Sequence, residues 1–285
     1  VKQYPRYITK GFHTFDPIVL AKETEALVCK GNMRKYTGFS METDKYGGVV
    51  TAHSVGCCLR CFFCWSNKSR DFPERYGTFY SPEEVFKKLD EVATRTKVNT
   101  LRISGAEPTI CREHLLEVLE YVEDSKYDFV LETNGILLAD ESYVKQLSTF
   151  KKPTIRLSIK AGDASGFVKR TGASPEKFEL PFQAAANLVK YGVKFLICIS
   201  SDPRIMSERE RLLLIEKLEA IDPVLISNID EETLLPFKTS LERMRHSGLQ
   251  CWSLLFPFEM TNVFRRIPNE QIRKNIKRLI RLVLT

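Results

Sequence analysis

The chain predicts an α/β fold built on a parallel sheet, and two observations point to it. Short β-branched runs recur along the sequence, and amphipathic segments with helix-start signals lie between them. The runs occupy residues 48–53, 99–103, 129–132, 154–159, 194–199 and 224–227. Ser81-Pro82-Glu83-Glu84 reads as a capping box with proline at the first helical position, and Ser174-Pro175-Glu176 repeats the same opening. Segments 112–123, 140–147, 207–220 and 231–247 also read as helices. A helix between two strands returns the chain to the same end of the sheet, so repeated strand–helix units make the strands parallel. Before the first run the chain is irregular, apart from one helical pattern near residues 17–29. The pattern alone fits either an open doubly wound sheet or a partly closed barrel.

In both architectures ligands gather at the C-terminal ends of the strands. The loops at those ends are unusually polar. A group of cysteines follows the first run, Ser104-Gly105-Ala106-Glu107-Pro108-Thr109 the second, and Thr133-Asn134-Gly135 the third. Ser158 and Lys160 close the fourth, Ser200-Ser201-Asp202 the fifth, and Asn228 and Asp230 the sixth.

Composition describes an ordinary globular protein. With 285 residues, 43% apolar content, 14 Gly and 13 Pro, the chain can bury a full core. Apolar runs such as 195–199 and 212–215 fall far short of the roughly 20 residues that cross a bilayer, and no leader-like segment opens the chain. A cytoplasmic protein with no membrane partner is expected. The net charge of +7 arises from mixed signs at 28% charged residues, which excludes a block-like basic tail but leaves a polyanionic partner open. The main local excess is QIRKNIKRLIRLV at 271–283. There Ile272, Ile276, Leu279, Ile280 and Val283 form an apolar stripe opposite Arg273, Lys274, Lys277, Arg278 and Arg281, the pattern of a docked terminal helix with a solvated basic side.

Four of the eight cysteines fall within GCCLRCFFC at 56–64. Cys29, Cys111, Cys198 and Cys251 are scattered without paired spacing, so each is expected to be a small buried hydrophobe rather than part of a disulfide framework. The cluster parses as Cys57-x3-Cys61-x2-Cys64 with Cys58 as a spacer, and a loop can curl three thiolates onto one inorganic site. Structural zinc normally takes four protein ligands and would need a further donor such as Cys58 or His53. An iron–sulfur cluster held by three thiolates leaves one iron open to a non-protein ligand. His53 and His114 lack a partner at metal spacing and are expected to be structural, and Trp65 is expected to shield the cysteines.

GCCLRCFFC resembles the CxxxCxxC signature of the radical S-adenosylmethionine superfamily. The resemblance implies that Cys57, Cys61 and Cys64 ligate a [4Fe-4S] cluster, that S-adenosylmethionine chelates its fourth iron, and that Phe63 lies by the adenine. SGAEPT resembles the family's GGEP segment, which implies that Gly105, Ala106 and Glu107 meet the methionyl amino group. Alanine replaces the second glycine, a mild change if the backbone φ of Ala106 is negative. LETNG at 131–135 and LSIK at 157–160 resemble the DTNG and DLK segments of pyruvate formate-lyase activating enzymes, and FVKRTGASPEKF at 167–178 is similar to the same group. These segments imply cofactor contacts from Thr133, Asn134, Ser158 and Lys160, joined by Ser200. Glu132 and Ser158 stand where that group has aspartate, a departure from its cation site. Lys160 suits the methionyl carboxylate, since an ammonium on a flexible stem reaches across a cleft.

The resemblance covers residues 47–230 and implies a partial TIM-type (βα)6 barrel. It divides the chain into an N-terminal extension (1–46), the core (47–230) and a C-terminal helical extension (231–285). The implied activity is reductive cleavage of S-adenosylmethionine to a 5′-deoxyadenosyl radical that abstracts hydrogen from a protein, RNA or small-molecule substrate. An electron donor of flavodoxin or ferredoxin type and a monomeric state are expected. CFFCW and GAEPT are also similar to tRNA wyosine-forming radical enzymes, which keeps an RNA-modifying role open. A non-enzymatic iron–sulfur or zinc protein is the remaining alternative.

Overall fold

The protein's structure, a computed structural model, describes residues 4–43, 45–227, 229–235 and 237–248. Helix α1 (Pro17–Val28) starts where Asp16 accepts a hydrogen bond from the Ile18 amide at 2.8 Å, with proline in the first turn. It leads into β1 (Cys29–Lys30), β2 (Met33–Glu42), β3 (Val49–Ser54) and β4 (Thr78–Tyr80). The predicted capping box opens α2 (Pro82–Thr96): Ser81 Oγ accepts from the Glu84 amide at 3.2 Å, and Glu84 accepts from the Ser81 amide at 2.7 Å.

From there strands and helices alternate: β5 (Thr100–Ser104), α3 (Arg112–Glu123), β6 (Asp128–Thr133), α4 (Glu141–Leu147), β7 (Pro153–Ile159), α5 (Ala164–Thr171), α6 (Leu180–Lys190), β8 (Phe195–Ile199), α7 (Glu208–Ile221), β9 (Asp230–Glu231) and α8 (Lys238–His246). The sheet order is β1-β2-β3-β5-β6-β7-β8-β9, with β4 also on β2. Strands β3 and β5 to β9 run parallel, while β2 is antiparallel to β3. Among the described residues β9 does not pair back to the start of the sheet, so the barrel is partial and open.

Strand alternation divides the sheet into two surfaces. Leu101, Ile103, Leu131, Ile155, Leu157, Ile197 and Ile199 are buried and apolar, and they form the core against the helices. The other surface carries Thr51, Arg102, Ser104, Glu132, Arg156, Ser158, Cys198 and Asp230, brought side by side by register pairs such as Glu132 with Arg156 and Ser158 with Cys198. The inner face of the open barrel is therefore polar.

Several expectations are corrected. Residues 224–227 are not the sixth strand: Pro223–Ile226 is a 3-10 turn, because Asp222 caps the Val224 amide at 2.9 Å and proline occupies the first position. The sixth parallel strand is instead β9. The helix expected at 231–247 begins only at Lys238. Ser174 makes no side-chain cap bond; a 3-10 turn, Pro175–Lys177, precedes α6. The first forty residues, expected to be irregular apart from one helix, also hold β1 and most of β2. Cys29 and Cys111 are not isolated hydrophobes: their Cα atoms lie 6.3 Å apart and they form a disulfide, linking the end of α1 to the start of α3. Cys198 is buried and free as expected. Asn228, Cys251 and the 271–283 stripe lie outside the described residues.

Candidate cofactor site at the strand ends

Strand β3 delivers its C-terminus to the cysteine loop through Gly56, whose φ of 81° is left-handed. A Cβ there would come within 2.5 Å of the Thr24 side chain, so only glycine lets the loop pack against α1. Cys57 and Cys61 are buried, Cys64 is partly buried, and all three are free thiols. The Cys64 amide turns back to the Cys61 carbonyl at 3.2 Å. The Arg60 amide donates to Thr171 O and the Phe62 amide to Arg170 O, which anchors the loop to the end of α5. Phe63, nine-tenths buried, lies edge-on to Phe62. Trp65 leaves 45% of its surface exposed.

Each of the three cysteines has its carbonyl capped by an arginine. Arg60 Nη1 donates to Cys57 O at 2.7 Å, Arg70 Nη1 to Cys61 O at 2.7 Å, and Arg243 Nη1, from α8, to Cys64 O at 2.5 Å. Arg243 also bonds Ser66 O and Asn67 O, and with Arg70 it holds Asp71. Sequence reasoning missed this set. Its one local signal is Arg60 itself, a charge set among apolar residues in CLRCFF.

The loops after β5 and β6 lock onto the cysteine loop through Glu107. Its amide donates to Gly56 O at 3.0 Å, and its buried carboxylate accepts from Thr109 Oγ1 and Thr133 Oγ1, both at 2.6 Å, and from the Asn134 amide at 2.9 Å. Arg34 on β2 bonds the carbonyls of Glu107 and Pro108 from behind. Gly105 needs its φ of 100°, since it passes close to the β3 backbone, and Ala106 has no positive φ, as its substitution requires. Asn134 Nδ2 reaches the Cys58 sulfur at 3.4 Å and the Cys57 sulfur at 3.7 Å. Cys58 thus faces Asn134 and its neighbour, and its hydrogen bond to Cys57 lowers the Cys57 thiol to about 7, while burial pushes Cys61 up to about 12.

Strand β7 adds Ser158, whose hydroxyl contacts the Lys160 ammonium. That ammonium lies 6.0 Å from the centre of the Phe63 ring and favours the thiolate of Cys61. Ser200, buried at the end of β8, donates its amide to Ile159 O at 3.2 Å. Below this rim the inner face is a charge network. Arg102 bonds Glu132 at 2.9 Å and Glu42 at 2.6 Å, Arg156 bonds Asp230 at 2.5 Å and Glu232 at 2.8 Å, and Lys45 bonds Glu232 at 3.1 Å. Burial pushes the Glu132 carboxyl up, but Arg102, Lys45 and Arg156, with the Ser104 hydroxyl, outweigh it and hold it at about 2. His114 is structural, as expected, with Tyr36 OH at 3.0 Å and Asn32 O at 2.9 Å on its two nitrogens. His53 meets Ser40 at 2.7 Å.

The cysteine loop fits an iron–sulfur cluster better than a single ion. Four sulfurs around zinc, with bonds of about 2.3 Å, lie about 3.8 Å apart. Among the described residues, the one set of three donors within 4.8 Å of one another that lies outside the Cys29–Cys111 disulfide is Cys198, Asp230 and Glu232. Cys57, Cys61 and Cys64 are not such a set, so at least one sulfur pair is wider, as a multi-iron core requires. Arg60 Nη2, buried without a hydrogen-bond partner, adds a positive charge suited to an anionic group.

A family model described as the radical SAM superfamily matches residues 51–201, from β3 to just beyond β8. A Methanocaldococcus jannaschii protein named as a proposed glycyl-radical enzyme activating enzyme is 27% identical over 128 residues, 45% of this chain and 46% of its own. A Thermococcus kodakarensis protein named as a proposed GTP 3′,8-cyclase is 26% identical over 152 residues, 52% of this chain and 47% of its own. The chain spans about half the length of the curated relatives it matches. The solved structure of Streptococcus suis SuiB bound to precursor peptide SuiA is similar in fold, with a TM-score of 0.52 at 20% identity over 65% of this chain and 38% of that one. No helix among the described residues is long and apolar enough to cross a membrane. The family match covers more than half of the sequence and takes in the cysteine loop with the loops after β5, β6 and β7; the chain belongs to the radical S-adenosylmethionine superfamily, whose enzymes use a [4Fe-4S] cluster and S-adenosylmethionine.

Proposed function

We propose that this protein is an activating-enzyme-like radical S-adenosylmethionine enzyme in which Cys57, Cys61 and Cys64 hold the cluster. The observation that carries the reading is the convergence of three free thiols with the loops after β5, β6 and β7, joined by Glu107 and Asn134. When bound, the cluster and S-adenosylmethionine supply one-electron cleavage of a sulfonium and a carbon-centred radical that takes a hydrogen atom. The chain's own work is placement and exclusion of water. Phe63 offers a ring face for the adenine. Gly105 and Ala106 present backbone to the methionyl end. Glu107 holds Thr133 and Asn134 in position. Ser158, Lys160 and Ser200 complete the wall, with the Lys160 ammonium set to meet a carboxylate.

The substrate enters from the open inner face of the 47–230 core. A flavodoxin- or ferredoxin-type donor in a reducing, cytoplasmic setting supplies the electron to a monomer. The +7 charge favours a second reading, in which the substrate is RNA. Anaerobic reconstitution tests the proposal. About four irons per chain are expected, with 5′-deoxyadenosine formed on reduction. Cys57→Ala, Cys61→Ala and Cys64→Ala should each lose cluster and cleavage, whereas Cys58→Ala should keep both. A reconstituted protein that neither binds nor cleaves S-adenosylmethionine would sink the reading, and copurified RNA released by modest salt would favour the second.

A further inference from the structure

Among the side chains that cap the cysteine carbonyls, positive charge exceeds the negative charge bonded to it, in a place where excess buried charge is costly. Arg60, Arg70 and Arg243 are each at most 2% exposed. One carboxylate serves them: Asp71 accepts from Arg70 Nε at 2.8 Å and from Arg243 Nη2 at 2.6 Å. Arg60 has no carboxylate partner among the described residues. Its bonds run to Cys57 O at 2.7 Å, Leu59 O at 2.8 Å and Pro5 O at 2.5 Å, it lies 5.0 Å from the centre of the Tyr4 ring, and its Nη2 is buried without a partner. A buried charge without a counter-charge costs several kcal/mol. The arrangement is balanced once an anion occupies the loop.

An oxidised [4Fe-4S] core held by three thiolates is a monoanion, and taking one electron makes it a dianion. A fixed positive charge in a low-dielectric setting favours the dianion more than the monoanion, and a fixed negative charge does the opposite. We infer that Arg60 is a positioning residue that sets the reduction potential of the cluster, with Asp71 as the opposing element that offsets Arg70 and Arg243. The inference rests on the cluster assignment proposed above. The step is a one-electron transfer from the external donor to the cluster, with no bond made or broken and no proton moved. Arg60 acts through the Cys57 carbonyl, to which it is bonded, and through space.

The test is a redox titration of the reconstituted full chain, followed by the paramagnetic signal of the reduced cluster. Arg60→Gln removes the charge and should shift the midpoint to lower potential. Arg60→Lys keeps the charge and should stay near the parent value. Asp71→Asn uncovers positive charge and should shift the midpoint upward. Loss of hydrogen bonds alone gives no reason for opposite signs, so the pair separates electrostatics from packing. Equal displacement in Arg60→Gln and Arg60→Lys, or no upward shift in Asp71→Asn, would overturn the inference. If Arg60→Gln does not fold, Arg60→Met takes its place as the variant without the charge, and a midpoint at the parent value there would overturn the inference. A parent chain that takes up no iron defeats the cluster assignment, and this inference with it; iron uptake with unchanged midpoints defeats the inference only.

Discussion

On the inner face of the sheet Arg102 and Arg156 each meet two or more carboxylates, whereas around the cysteine loop Arg60, Arg70 and Arg243 cap main-chain carbonyls, and Asp71 alone is bonded to Arg70 and Arg243 together. The side chain is the same and the outcome differs. On the inner face each of these guanidinium groups has carboxylates beside it, so its charge is offset within the chain. In the cysteine loop, carbonyls satisfy most of the donors while Asp71 offsets only part of the charge and none of it at Arg60, so the loop remains electrostatically open to a bound anion. Hydrogen-bond satisfaction and charge compensation are separate requirements, and this protein meets them together in one region and separately in the other.

The largest expected effect breaks the compensated region. Glu132→Ala removes the carboxylate that Arg102 and Ser104 share, leaving Arg102 with Glu42 and Arg156 with Asp230 and Glu232, and should cost about 3 kcal/mol in urea unfolding, equally with and without the cluster. A loss confined to the loaded protein would erase the distinction between the two regions. Acid should act on the same network from the other side. The Glu132 carboxyl sits at about 2 in the folded chain against 4.5 as its ordinary value. Its contribution is therefore complete above pH 4.5 and disappears as pH falls toward 2, an effect of roughly 3 kcal/mol. Unfolding free energies measured across that window should fall less steeply in Glu132→Gln. The smallest effect is a control. Ser81→Ala removes the cap of α2 and should cost about 1 kcal/mol, adding to Glu132→Ala within about 0.5 kcal/mol in a double-mutant cycle. A larger coupling would mean that helix ends and inner face do not act independently.

Five parallel strands and the gathering of cysteines on one loop after the first of them were legible in the sequence because both signals are local. Buried strands such as β7 and β8 need apolar residues at successive positions, and a metal loop needs its ligands close together. Strand β2 escaped because its register shifts between Tyr36 and Phe39, which interrupts the two-residue period. Residues 224–227 misled in the opposite sense. Val-Leu-Ile looks like a strand, but Asp222 and Pro223 start a turn that leaves Val224 71% exposed. The arginines of the cysteine loop are the least legible feature. Arg243 reaches Cys64 across 179 positions and Arg34 reaches Glu107 across 73, and no spacing rule links such residues. Glu107 was found, yet the structure shows its carboxylate occupied by Thr109, Thr133 and Asn134, a bracing role that a motif does not reveal.

Strands β1, β4 and β9, where the described sheet comes to an end, are only two or three residues long. Long unpaired edges present rows of free backbone groups on which a second chain can add as a further strand. A barrel left open for a ligand risks creating such an edge. Among the described residues the stubs offer little backbone of their own, and the longer open margin is the part of β2 at residues 39–42, which pairs with β3 alone.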